Sequence, residues 1–502
     1  MATGLYTLLQ RRSDDSESED YNKYDGWIIY CDSTEVPAVD STYTADDNTQ
    51  VTVAVVCAFA STACCCTGYE SNLITATVEA SVAQATYASL YATFANCTAL
   101  EYIYKLENLF ENMGRTTKRM SSQTNCMFYK CTSLKELDFS RTTFTKAFMI
   151  NNSTVIQFLW YRNSATSSPI ACESVKMPVF DGNKSYIYTF EQLFSYFKAL
   201  KSIDLSCFNG CMVYSLSQMF NNCYALKDII IPQLTLTSNN TTYTVGDPGG
   251  GDAFVLNNVN VQNMFTNCSS LEKIDLSKIM CASPVRMYDS FKNCTNLKYA
   301  DISNFIVNST NLGGMFNNCT NLLFCKLPHI NLFDNNGRPM YYSIGEMFRE
   351  CTNLYMVDLS DFDWYDDQQN QYRVRGNYLF YNCKALKYIY STNTTALTFD
   401  SGYNTDVFQN CTKLPNWSNN SYTHSYVGDG GYFTDANEIK NFNYLSLIPV
   451  NQPATQNEFD NKQNEIIQTL RYLYFNKGNE TVINYGEAAP SKGAVGSIYI
   501  RL

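Results

Sequence analysis

Histidine is nearly missing from this chain: two stand among 502 residues, His329 and His424. Neither has a suggestive neighbour, so imidazole-based acid–base or nucleophilic chemistry has little to build on. Charge is scarce too, at 17% of residues, and basic charge is scarcest. With 36 Lys and Arg against 47 Asp and Glu, the net charge of −11 argues against a nucleic-acid partner and against docking on an anionic membrane. No apolar run reaches the roughly 20 residues that cross a bilayer, so no membrane insertion is expected. The most apolar stretch, "VTVAVVCAFASTACCC", ends after 16 residues at Cys66 and reads as one or two buried strands. The opening "MATGLYTLLQRRSDDSESED" lacks the charged start, apolar core and small-residue cleavage site of a secretory signal. Glycine-rich "GDPGGGDAF" lacks the Lys-Ser/Thr of a phosphate loop. No Cys-x-x-Cys pair or Cys/His cluster at zinc spacing occurs, and adjacent Cys64, Cys65 and Cys66 read as too crowded for a regular metal site. No catalytic residue, cofactor or metal is expected.

What the chain does have is repetition. Phe-x-x-Cys-x-x-Leu recurs ten times, with Phe94, Phe128, Phe194, Phe220, Phe265, Phe291, Phe316, Phe348, Phe380 and Phe408 in first place. The shortest intervals, as from Phe265 to Phe291 and Phe316, are 26 and 25 residues; longer ones read as the same unit with an insertion. An eleventh, decayed unit is expected near "CESVKMP" at Cys172, where the register between residues 131 and 194 is open. Within a unit, "LEKIDLS" alternates apolar and polar residues at Leu271, Ile274 and Leu276, as a short half-buried strand does. The preceding Met264, Phe265 and Cys268 fall at helical spacing and predict one or two helical turns. One strand and one short helix cannot bury their apolar faces alone, but stacked copies share a core. The expected fold is an α/β repeat solenoid of the leucine-rich-repeat class, roughly 50 Å long at a strand spacing of about 4.8 Å. Its core triads include Phe265, Cys268 and Leu271; Phe291, Cys294 and Leu297; Phe316, Cys319 and Leu322; and Phe348, Cys351 and Leu354.

Nine of the 20 cysteines hold the repeat position, and Phe197 replaces one, so the site wants a buried apolar group. Nine sulfurs in a ladder cannot all pair, and reduced thiols are expected. Asn-x-Ser/Thr triplets at Asn293, Asn318 and Asn410 adjoin that cysteine and read as repeat grammar rather than glycosylation sites.

The units at residues 264–279 and 347–362 resemble two related groups, BspA-type leucine-rich repeats and the mycoplasma-type surface lipoprotein repeats with "MFxxCxxLxxLDLSxF". The resemblance covers roughly residues 88–418 and implies adhesion and surface recognition without catalysis; this chain shows neither the secretion signal nor the lipoprotein cysteine of those groups. A depolymerase acting on a surface glycan, built from carboxylates of several coils, is the enzymatic alternative.

Insertions recur just after the strand and are expected along one edge of the solenoid, where such loops build binding faces. The candidate ligand-binding loop joins Trp364 and Tyr365 to Asp361, Asp363, Asp366 and Asp367, a set suited to sugar stacking or to a hard cation, or else a solvated loop pinned by its aromatics. Phe459, Gln463, Ile466, Leu470 and Leu473 form a short heptad seam. It suits a homotrimer or dimer already held by other contacts, or packing on a domain. The final "GEAAPSKGAVGSIYIRL" resembles a segment of bacteriophage tail and fibre proteins, which implies a virion protein made in the host cytoplasm.

The expected organisation is a β-rich attachment domain at 1–85 with a mobile acidic start, the solenoid at 86–425 and a linker at 426–456. A short oligomerisation helix (a coiled coil) follows at 457–475, then the phage-like segment at 476–502. The expected function is a non-enzymatic virion fibre that recognises a host-surface protein or glycan and contacts itself and other virion proteins. The alternatives are a cell-surface adhesin of a gut microbe and a capsid decoration protein.

Overall fold

In a computed structural model the described residues are 4–31, 35–58, 64–84, 93–110, 127–145, 170–181, 187–237, 259–276, 278–282, 285–307, 312–330, 342–360, 362, 373–399, 402–441, 483–485 and 498–500. They divide into two compact units, Met1–Asp435 and Ala436–Leu502. In the second unit, strands Ile483–Tyr485 and Ile498–Ile500 pair in parallel within the phage-like segment. The heptad residues Phe459, Gln463, Ile466, Leu470 and Leu473 lie outside the described residues.

The first unit is a repeat solenoid. One of the two six-stranded sheets among the described residues is wholly parallel with one strand per successive coil: Lys273–Asp275, Tyr299–Asp301, Phe324–Lys326, Met356–Asp358, Tyr388–Ser391 and Thr434–Asp435. Pairing is in register, Ile274 opposite Ala300 and Ala300 opposite Cys325, so equal motif positions stack on one another. Just ahead of each strand, the residue after the motif leucine donates its N–H to the coil before. Lys135 donates to Glu101, Glu173 to Lys135, Lys201 to Glu173 and Lys227 to Lys201. The decayed unit at Cys172 is therefore a coil of the array, its strand Ser174–Lys176 paired with Glu136–Asp138. A second face is built from strands such as Cys211–Ser215, which pairs with Leu234–Leu236 at one end and Val259–Asn260 at the other.

The expected helical turns are not there: among the described residues the helices are all short 3₁₀ turns. Two left-handed residues per coil explain this. The residue before the repeat cysteine has φ near +60° in every copy, from Asn96 and Asn222 to Asn382 and Asn410. A second such residue stands four positions earlier, as at Gln218, Asn263, Asp289, Gly314 and Glu346. A helix cannot run through φ values of that sign. The segment is instead an angular turn whose amides bond to the next coil: Phe291 N–H to Met315 O at 2.9 Å and Asn293 N–H to Asn317 O at 2.8 Å. Asn is frequent there because it tolerates the left-handed region better than most residues do. The α/β expectation is corrected to a β-and-turn solenoid.

The core follows the motif. All twelve triad residues named above, Phe265 through Leu354, are at most 1% exposed. Eight successive pairs of motif phenylalanines stack with ring centroids 5.3–5.8 Å apart and interplanar angles of 17° or less. That is the range of favourable offset stacking. The repeat cysteine is more than filler. In eight coils its thiol donates to the carbonyl oxygen of the phenylalanine one coil earlier, at 2.9–3.2 Å. No disulfide joins the described cysteines.

The β-rich start continues into this array. Strands Val55–Ala58, Gly4–Arg11 and Tyr24–Cys31 are antiparallel neighbours; Tyr24–Cys31 then pairs in parallel with Leu73–Val78, and that strand with Tyr102–Tyr104 of the first motif coil. Residues 64–78 thus form a coil without the motif, and Cys65 N–H bonds to Thr93 O as a motif phenylalanine bonds to its neighbour.

Candidate recognition groove

Where the antiparallel strands meet the first coils, an open groove of about 680 Å³ lies across the sheet face. Tyr24–Cys31 contributes Asp25 and Trp27, Leu73–Val78 contributes Thr75 and Thr77, and Tyr102–Tyr104 contributes both tyrosines. Alternation along these strands sends every second side chain outward: Ile103 is buried in the core while Tyr104 is 50% exposed. The two tyrosine rings stack at 6.2 Å, and Lys135 Nζ lies 5.5 Å from the Tyr102 ring centroid.

Carboxylates and cations alternate around these rings. Asp25 accepts from Thr75 Oγ1 at 2.6 Å and pairs with Arg12 Nε at 3.3 Å. Burial alone would raise the Asp138 carboxyl, but hydrogen bonds from Lys176 and Ser140 outweigh it and hold the group below the usual carboxylate range. The Thr49 hydroxyl and N–H do the same for Asp47. Arg141, 81% exposed, reaches Glu107 at 3.6 Å. Further along the face, Lys135–Glu101 at 2.6 Å and Lys201–Glu173 at 2.5 Å join neighbouring coils in exposed pairs that add little stability. The groove therefore sets the stacked Tyr102 and Tyr104 rings beside the carboxylates of Asp47 and Asp138 and two guanidinium groups, each paired with a carboxylate. Rings beside hydrogen-bonding ions are a chemistry suited to polyhydroxylated ligands.

The expected loop residues Asp361, Asp363, Trp364, Tyr365, Asp366 and Asp367 fall outside the described residues; the adjoining Phe362 is buried. Sequence reasoning missed the groove because Arg12, Asp25 and Trp27 come from segments without the repeat. A partial signal existed in "EYIYKL", whose Tyr-x-Tyr recurs in "KYIYST" at Tyr388 and Tyr390 on an equivalent strand.

The Asn-x-Ser/Thr sites behave as repeat grammar. Asn293 Nδ2 donates to Asn267 Oδ1, Asn318 Nδ2 to Asn293 Oδ1 and Asn410 Nδ2 to Asn382 Oδ1, at 2.6–2.9 Å. The nitrogen that a sugar would take is engaged in each. No helix among the described residues is long and apolar enough to cross a membrane.

No protein-family profile matches the chain, and no curated protein matches it. Similar solved structures include a leucine-rich-repeat protein of Leptospira interrogans, 12% identical, covering 64% of each chain at a TM-score of 0.24. An internalin of Listeria monocytogenes is also 12% identical, covers 65% of this chain and 83% of its own, and superposes at 0.18. The Toll–Spätzle complex of Drosophila is 10% identical, with 84% and 56% covered and a TM-score of 0.23. The chain thus spans about 64% of the length of the Leptospira protein. Superpositions this loose carry no weight for the fold, which rests on the coil-to-coil ladder itself.

Proposed function

We propose that this chain is a non-enzymatic recognition protein whose solenoid presents the Trp27–Tyr102–Tyr104 groove to a surface glycan. The observation that carries the reading is the exposed Tyr104 ring, stacked on Tyr102, beside the Asp138 carboxylate kept ionised by its own hydrogen bonds. Aromatic platforms bind sugar rings through their faces, and ionised carboxylates accept from hydroxyls. Titration of the full chain against a panel of surface polysaccharides tests it. Tyr104→Ala and Arg141→Ala, both at exposed positions, are expected to weaken binding about tenfold or more while leaving the fold intact. Binding that ignores both substitutions would remove the groove from the account.

A finer reading places this activity on a bacteriophage fibre. Its support is the segment "GEAAPSKGAVGSIYIRL" together with the heptad residues Phe459, Gln463, Ile466, Leu470 and Leu473. Solution mass by light scattering under mild reductant checks it: three chains per particle support the fibre, and a monomer favours the surface adhesin or decoration readings.

A further inference from the structure

The three adjacent cysteines do not stay apart from the rest of the chain. Residues 65–68 form a turn, closed by Tyr69 N–H to Cys66 O at 2.8 Å, that turns Cys64 and Cys66 toward the next coil. There they meet Cys97, the first cysteine of the repeat ladder. The sulfurs stand 3.4 Å apart for Cys64 and Cys97, 3.6 Å for Cys64 and Cys66, and 3.8 Å for Cys66 and Cys97. Cys65 Sγ lies within 4.8 Å of those of Cys64 and Cys66. All four are buried, between 0% and 7% exposed.

Cys97 differs from the ladder below it. The thiols of Cys131 through Cys411 are satisfied by a phenylalanine carbonyl of the coil before. Cys97 has a motif-free coil before it and faces sulfur instead. Cys64, Cys66 and Cys97 thus form a triangle of sulfurs with edges of 3.4–3.8 Å. A tetrahedron with edges of about 3.6 Å has its centre about 2.2 Å from each corner, close to the zinc–thiolate bond of about 2.3 Å. Cys65 Sγ, within 4.8 Å of Cys64 and Cys66, is the sulfur at hand for the fourth corner.

We propose that Cys64, Cys65, Cys66 and Cys97 bind one thiophilic metal ion, Zn²⁺ by bond length, as a buried structural site that ties the β-rich start to the first motif coil. Sequence spacing argues against such a site because three of its ligands are consecutive; the turn at 65–68 and the fourth ligand from the next coil overcome the crowding. Soft thiolates select zinc or Cu(I) over magnesium or calcium, and the four-sulfur set favours the tetrahedral ion. Binding deprotonates the ligands, so one Zn²⁺ entering four thiols releases four protons to solvent.

The test uses the full chain, purified under reductant, stripped with a chelator and titrated anaerobically with Co²⁺. Expected are one equivalent of Co²⁺ with the charge-transfer and intense visible bands of tetrahedral thiolate cobalt, displacement by Zn²⁺, and proton release on binding. Cys97→Ser and Cys64→Ser are each expected to lower affinity at least about tenfold. Cys294→Ser, deep in the ladder, should leave it unchanged. Should the two variants fail to fold, the wild-type bands and proton release still decide. The proposal is overturned by absent thiolate bands in the wild type, by full binding in a folded Cys97→Ser, or by loss of binding in a folded Cys294→Ser. An intact mass two hydrogens low under reductant, with Cys64 linked to Cys97, would overturn it equally, making the cluster a disulfide.

Discussion

The sulfur of Cys319 stands 3.0 Å from the carbonyl oxygen of Phe291, one coil earlier. The same buried oxygen accepts the Cys294 N–H at 3.1 Å, so the thiol takes its second lone pair and ties one coil to the next inside the core. Cys319→Ala removes both the donor and a buried atom. It is expected to cost about 1–3 kcal/mol, read as a lowered urea midpoint.

The turn itself gives a backbone test. Asn293 has φ of 61°, and its side chain bonds to Asn267. Asn293→Gly and Asn293→Ala both lose that side-chain bond, so their difference reports the left-handed backbone. The glycine variant is expected to be the more stable by about 1 kcal/mol in urea unfolding, once the greater freedom of unfolded glycine is set against the alanine strain. Equal midpoints would refute a strained left-handed turn.

Buried thiols make the fold sensitive to alkali. Burial pushes Cys57 and Cys172 from 9.0 up to about 12, and raises the ladder thiols Cys223, Cys268, Cys294, Cys319 and Cys351 as well. The folded chain keeps protons that the unfolded chain releases above the ordinary thiol range. Stability from this source is intact below about pH 8.5 and falls as pH rises toward 12. Urea midpoints should drop steeply between neutral pH and pH 10, and a flat profile would contradict the burial of these groups.

Glu79 tests the opposite end of the scale. Its side chain is fully buried, accepts the Asp46 N–H at 2.7 Å, and has Lys105 Nζ 3.9 Å away. Burial raises its carboxyl above the ordinary range in spite of those partners. A raised carboxyl costs stability above its unfolded pKa, and the cost vanishes below that value. Glu79→Gln should therefore raise the midpoint at neutral pH, with a gain that shrinks as pH falls from the raised folded value toward about 4.3 and is gone below it. A loss at neutral pH would show that the Lys105 pair outweighs desolvation.

The repeat was legible because its grammar is local. Phe316, Cys319 and Leu322 lie within seven residues and recur, so their burial could be read directly, and the decayed coil at Cys172 betrayed itself by a fragment of the same pattern. The turn was misread because Met264, Phe265 and Cys268 have the spacing of a helical face as well as of an angular turn. The sign of φ at Asn263 and Asn267 decides between them, and residue spacing does not encode it.

The amino-acid sequence by itself determined the stacking unit, the reduced sulfur ladder and the shortage of acid–base machinery. Only the tertiary structure decided that residues 64–78 are a coil, that Cys97 meets Cys64 and Cys66, and that Trp27 shares a groove with Tyr104. The reason is physical. A parallel strand pair joins residues about thirty positions apart through backbone hydrogen bonds, which carry no side-chain signature, so Leu73–Val78 could enter the array with Cys65 standing where the motif has phenylalanine.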